Sequence, residues 1–325
     1  MGLLLKCVVT GIFIGLIVWQ LGDPGEVIEV MRGMDPWYAL LVVAMNTADR
    51  ALMTFKWARL LRGRGLHLPF LQGMKIYCAS MIWGIFLPST MGADAIRAFS
   101  TSRTGLDTNE VVASIVIERM VGFLSALLLG LLSLLLLSLL GGLDARFRFV
   151  WWAGILTMTG GVVLFAASFS RRAFDLLHDS LLRRFRDTSV VRRLRQFHST
   201  YLTYQDNKTD LAAFFGLTFV EQLIPILNMW LIAQGLGVEV GFLYVAGAVP
   251  LAILISRIPV SINGLGVFEG VFVVVMALAG VPAAEALAVS LVGHILQVLS
   301  WLPWWCAQVA DGGDLRLPRP LVGRN

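Results

Sequence analysis

From Ser125 to Leu140 the chain reads SALLLGLLSLLLLSLL, sixteen residues with no charge, no amide side chain and no proline. A helix made of it is apolar on every side, so it has no face to turn to water and belongs in a bilayer or at the centre of a large core. Only the bilayer suits this chain. Hydrophobic residues make up 57% and charged residues 14% of the 325 positions, and the mean hydropathy is +0.77. Several further runs reach the roughly 17–25 residues that a crossing needs. In lipid, backbone N–H and C=O groups must be bonded within the protein, and runs of this length do that as helices. The reading is an all-α, polytopic helical membrane protein, one transmembrane domain over residues 1–325.

Charge gives the orientation. An acidic loop with Asp23, Glu26, Glu29 and Asp35 follows the first apolar run (3–21), and the basic stretch ARLLRGRGLH follows the second (37–57). The positive-inside bias puts the acidic loop outside and the N-terminus in the cytoplasm. Lys6 and the apolar run after it have the look of a signal peptide, but WQLGDPGEV offers no small-x-small cleavage site, so the first helix is expected to be retained. The run 71–87 has basic flanks on both sides (Arg59, Arg62 and Arg64 before, Arg103 after), which one crossing cannot satisfy. A hairpin that enters from the inside and returns does satisfy them. Next come 110–140, long enough to tilt or to kink at Gly122, and 149–169.

Residues 170–210 form the longest polar segment, with eight arginines between Arg171 and Arg195. They read as a basic cytoplasmic linker, with leucine spacing that also suits amphipathic helices on anionic headgroups. The second half holds a span at 211–235, an interrupted pair at 244–260 and 271–280, a span at 283–310 and a basic tail, 311–325. The expectation is about six spanning helices plus two re-entrant hairpins. The halves, 1–168 and 211–310, form an inverted repeat, and both termini lie on the cytoplasmic side of the inner membrane. Eight full spans are the alternative.

Both interruptions carry polar groups to membrane depth, where each is costly and therefore a functional candidate. The first, FLPSTMGADAIRAF, offers Ser89, Thr90, Gly92, Asp94 and Arg97; the second, RIPVSINGLGVFEG, offers Arg257, Ser261, Asn263, Gly264, Gly266 and Glu269. A helix starting after a glycine turn presents unpaired amides to an anion, and an arginine one turn on adds a fork for phosphate. The same residues also serve as plain helix caps, so a structural reading stands beside the functional one. Glu118–Arg119 and Asp49–Arg50 are adjacent opposite charges; neighbours on a helix do not face each other, so each is expected to seek a partner on another helix.

Other classes lack support. Cys7, Cys78 and Cys306 are far apart, His67, His178, His198 and His294 form no ligand pair, and there is no GxSxG, Walker A or GxGxxG pattern. No metal, no cofactor and no catalytic set is expected. The net charge of +5 comes from arginines at the ends of apolar runs, which points to the membrane face rather than to nucleic acid.

Four stretches, KWARLL (56–61), LPSTMGADAIR (87–97), VIERMVG (116–122) and PVSINGLGVFEG (259–270), give the chain a resemblance. It resembles the flippase-like family named after the transmembrane region of lysylphosphatidylglycerol synthase. Two positions depart from that family's pattern: Ala93 stands in place of a second glycine, limiting close backbone approach, and Glu118 stands in place of aspartate. The resemblance implies movement of an anionic polar-headed lipid, a phospholipid or a polyprenyl-phosphate-linked glycolipid, between leaflets. Arg97, Arg119 and Arg257 would neutralise its phosphate, and Asp94, Glu118 and Glu269 would balance the emptied site or couple protons. The chain ends at Asn325 with no aminoacyl-transferase domain, so lysyl transfer is not expected. The expected partner is membrane lipid and the expected role is transport rather than enzymatic. An integral-membrane transferase using a polyprenyl-phosphate donor and a carrier of small anions are the rival readings.

Overall fold

A computed structural model describes residues 24–85, 91–139, 148–168, 170, 199–203, 208–257 and 266–310. The expected first span (3–21), Ser89, Thr90, Ser261, Asn263, Gly264, most of the basic linker and the tail lie outside the described residues. Eleven helices are described, and no strand among these residues. They are α1 (Pro24–Arg32), α2 (Pro36–Arg62), α3 (Phe70–Ile85), α4 (Met91–Ser102), α5 (Thr108–Leu139), α6 (Arg148–Ser168), α7 (Lys208–Glu221), α8 (Ile224–Gly235), α9 (Phe242–Ser256), α10 (Val267–Ala277) and α11 (Ala283–Ala310). Three candidate spans stand out by length and apolarity: Thr108–Leu139, Leu211–Gly235 and Ala283–Ala310. Leu139, Leu156, Leu164 and Val274 are exposed while Lys56, Arg97 and Glu118 are buried, an arrangement that fits a lipid surround. The protein is a multi-pass helical membrane protein.

Local chemistry sets the helix ends. Asp35 caps α2 by accepting from Trp37 N at 2.7 Å, with Pro36 in the first turn where its missing N–H costs nothing. Asp107 does the same for α5, accepting from Asn109 N at 2.9 Å and Glu110 N at 3.1 Å. The acidic loop expected after the first apolar run is instead the short helix α1, because Val27 finds cover against Leu287 and Ala288 of α11. The span expected at 211–235 is divided. Pro225 has no N–H for the carbonyl of Glu221, four residues back, and the chain takes a turn at Gln222–Leu223 between α7 and α8. Pro250 frees the carbonyl of Ala246 in the same way, and Ser133 Oγ of α5 donates to it at 3.1 Å.

Both interruptions divide helices as the residues foretold. Helix α3 has 16 residues and α4 has 12, so at 1.5 Å per residue they run about 24 and 18 Å, short of the roughly 30 Å of a bilayer core. Helices α9 and α10, with 15 and 11 residues, are similarly short. Each pair packs into a hairpin. Ala93 does not keep the arms of the first hairpin apart, because Gly84 lies opposite it: a Cβ on Gly84 would sit 2.7 Å from the Ala93 Cβ. Gly84→Val is therefore expected to force the arms apart and cost about 1–3 kcal/mol. Gly216→Ala, at a position with nothing within 4 Å, should leave the unfolding midpoint in detergent close to wild type.

The packing partners obey a simple exchange. Helix α3 rests on α11, and α9 rests on α5; α4 packs on α5, and α10 on α11. Helix α2 touches α3, α5 and α11, while α7 and α8 between them touch α9, α11 and α5. Swapping α2 with α7–α8, α3 with α9, α4 with α10 and α5 with α11 leaves this pattern unchanged. The first arm of each hairpin thus leans on the long helix that follows the other hairpin.

Candidate functional site

Arg97 is the organising residue of the interior. Its guanidinium is fully buried against the rings of Trp57 and Tyr77, with its carbon 4.8 Å and 4.6 Å from their centroids. Nη1 donates to both oxygens of Glu118, at 2.9 and 3.2 Å, and Nη2 lies 3.5 Å from Asp94 Oδ1. The two rings stand edge to face, 6.2 Å between centroids, and meet the cation from adjacent sides, while the buried Glu118 carboxylate pairs with its charge. Tyr77 Oη donates to Glu118 Oε1 at 2.9 Å, and Trp57 Nε1 donates to Ser114 Oγ at 2.9 Å, which holds both rings in place. Arg119 grips Asp94 with two parallel bonds, Nε to Oδ2 at 2.6 Å and Nη2 to Oδ1 at 2.7 Å. Arg97 is wholly enclosed, whereas the Arg119 side chain is 51% exposed.

Asp94, Arg97, Glu118 and Arg119, all chosen from the sequence, therefore stand in one cluster, with Gly92 at the start of α4 beside it. Glu118 and Arg119 find their partners on another helix, as adjacency requires. Asp49 and Arg50 do not: Arg50 curls back, and its Nε donates to Asp49 Oδ2 at 3.0 Å. The Arg50 guanidinium carbon lies 5.8 Å from the Tyr77 centroid, on a ring it shares with Arg97. The aromatic face, rather than a carboxylate on another helix, is what draws it across.

The second interruption is built differently. Glu269 pairs with none of Arg97, Arg119 and Arg257. Its Oε2 accepts from Gly266 N at 2.7 Å, capping α10, and its Oε1 lies 2.9 Å from His294 Nδ1 of α11. Gly266 has φ +80°, a left-handed conformation that a side chain would strain. Arg257 donates from Nη1 to the carbonyl of Gly122 at 2.9 Å, and Gln222 Nε2 donates to the same oxygen at 3.2 Å. Helix α5 runs unbroken through Gly122, whose carbonyl ties it to the end of α9 and to the α7–α8 joint.

Several members of the interior were not chosen from the sequence. Lys56, quoted there only as the first residue of KWARLL, is buried in an ion pair with Glu221; it also donates to Thr218 Oγ1 at 3.0 Å and lies 5.1 Å from the centre of the Phe214 ring. Asn228 Nδ2 donates to Asn46 Oδ1 at 2.8 Å, joining α8 to α2. A cavity of about 200 Å³ opens beside that pair, walled by α2, α8, α9, α10 and α11 and reaching Asp49, Arg50, Ser256 and His294. The available signal was the cost of amides, a lysine and a histidine within apolar helices. Among the described residues no three His, Cys, Asp or Glu side chains stand close enough to hold a metal.

Bilayer-length helices around a buried charge network define a multi-pass membrane protein with a polar interior. The chain belongs to the family described as the lysylphosphatidylglycerol synthase TM region, whose pattern matches residues 3–303. It is similar to a UPF0104 membrane protein of Methanothermobacter thermautotrophicus, 22% identical over 84% of this chain and 85% of the relative. It is also similar to a UPF0104 membrane protein of Methanocaldococcus jannaschii, 16% identical over 84% of each.

Proposed function

We propose that this protein moves an anionic, polar-headed lipid between the leaflets of the cytoplasmic membrane, with both chain ends on the cytoplasmic side. One observation carries the reading: two arginines, Arg119 and Arg257, remain exposed on a surface otherwise made for lipid. Each lies within electrostatic reach of the other. Arg257 holds only a backbone carbonyl among the described residues, which a phosphate oxygen can replace at little cost.

The same flank offers room for a tail. A groove of about 370 Å³ runs between Leu129, Leu132 and Leu136 of α5, Leu223 and Leu227 at the start of α8, and Phe242 and Ala246 of α9. Helices α5 and α9 run antiparallel here, Gly122 meeting Arg257 at one end and Ser133 meeting Ala246 further along, so the cations stand at the head of the groove. A phosphate above an apolar slot is the shape of an amphiphile.

Transport is favoured over a covalent reaction because every described carboxylate of the interior stands beside a cation or a histidine: Asp49, Asp94, Glu118 and Glu221 face Arg or Lys, and Glu269 faces His294. The exchange of packing partners between the halves supports an inverted repeat in which the hairpins enter from opposite leaflets, the geometry that alternating access uses. Purified protein in vesicles containing chain-labelled fluorescent phosphatidylglycerol tests the reading. Dithionite should reach nearly all the label in protein-containing vesicles and about half in empty ones. Folded protein that leaves inner-leaflet label protected overturns it, and a new covalent lipid product would favour the transferase.

A further inference from the structure

The central cavity is separate from the tail groove, and helices α8 and α9 form the wall between them. Pro225, Asn228 and Met229 of α8 face the cavity, while Ile226 and Leu227 face the groove; on α9, Val249, Ile253 and Ser256 face the cavity, and Phe242 and Ala246 the groove. Ser256, on the cavity wall, is followed directly by Arg257. A lipid whose phosphate reached Arg257 would thus have its headgroup at the mouth of the cavity and its tail on the opposite face of the wall.

We propose that this cavity seats an uncharged, hydroxyl-bearing headgroup about one ring in size, an inference that rests on the lipid-moving role above. Size is the first ground. A cavity of about 200 Å³ has room for one hydroxylated ring.

Charge is the second ground. The Asp49 carboxylate and the Arg50 guanidinium on the wall cancel each other. A second phosphate entering the cavity would meet Asp49, and an ammonium would meet Arg50, so neither gains from the site.

The hydrogen-bond inventory is the third. Asp49 Oδ1 and Asn228 Oδ1, on side chains more than nine-tenths buried, have no hydrogen-bond partner among the described residues and need donors. Arg50, Gln297 and Asn46 carry N–H groups on the same wall. An ammonium only donates and a phosphate diester only accepts; a hydroxyl does both. A buried polar group left unmatched is costly, so the cavity selects for a headgroup that supplies both functions at once.

Nanodisc-reconstituted protein, stripped and then offered lipids with identical acyl chains, tests this by native mass spectrometry. The probes are phosphatidylinositol (a hydroxylated ring), phosphatidylethanolamine (an ammonium) and phosphatidic acid (no further headgroup). Wild type should retain phosphatidylinositol about ten-fold over either of the others, the worth of two or three added hydrogen bonds. Asn228→Leu and Asn46→Leu should each reduce that ratio toward one while phosphatidic acid retention persists, which also shows that the variant is folded. Equal retention of all three lipids by wild type, a preference for the ammonium, or a preference that survives both substitutions would each overturn the headgroup seat. Failure to retain any anionic lipid would instead remove the transport reading on which it rests.

Discussion

Replacing Arg97 with alanine is expected to cost about 3–5 kcal/mol of stability, the largest loss from any single substitution in the interior. The side chain is fully buried, and its removal strands the Glu118 carboxylate with Tyr77 Oη as its remaining direct partner while opening a gap beside Trp57 and Tyr77. The double variant Arg97→Met with Glu118→Gln should recover much of the loss, since it removes both charges and keeps most of the volume. Arg119→Ala supplies the contrast: this cation also holds Asp94, yet its side chain is 51% exposed and Asp94 keeps Arg97 beside it, so the loss should be clearly smaller than for Arg97→Ala. Unfolding midpoints in a single detergent, with a double-mutant cycle across Arg97 and Glu118, decide the matter. An Arg97→Ala protein as stable as wild type would mean that the Arg97 cluster is not what holds the interior together.

Arg257→Ala should do the reverse, sparing the fold and stopping the work. Its described hydrogen bond is to Gly122 O, which Gln222 continues to satisfy, so the melting curve should scarcely move. Lipid translocation should fall about ten- to a hundred-fold, the worth of a charge-assisted bond to phosphate. Arg257→Lys should restore part of it, keeping the charge but losing the two-pronged geometry. The initial rate of label loss in the dithionite assay is the measurement, and an Arg257→Ala rate equal to wild type would exclude this residue from phosphate capture.

The architecture was largely legible because its punctuation is chemical. Pro88 and Pro259 break an apolar run, and the described helices end at Ile85 and Ser256 before them. Pro225 carried a comparable warning, but its apolar neighbours made 211–235 read as one rod. The charged pairs were legible as costly groups, whereas their partners were not. Whether Glu118 meets Arg97 or Lys56 depends on how α2, α4 and α5 cross, and local sequence does not hold that information. Tyr77 stayed out of sight for another reason. A tyrosine in an apolar run looks like packing until two guanidinium groups are found sharing its ring.

The exchange of packing partners has a consequence for how the protein is made. Helix α11 leaves the ribosome after every other described helix, yet its Trp301 lies buried against Met74, Cys78 and Ile82 of α3, and its Leu287 and Ala288 cover α1. The early helices must therefore wait in the lipid with those surfaces uncovered until synthesis is nearly finished. Folding of the first half is completed by the last piece of the second, so a nascent chain halted before α11 would be inserted but unfinished, a ready target for membrane quality control.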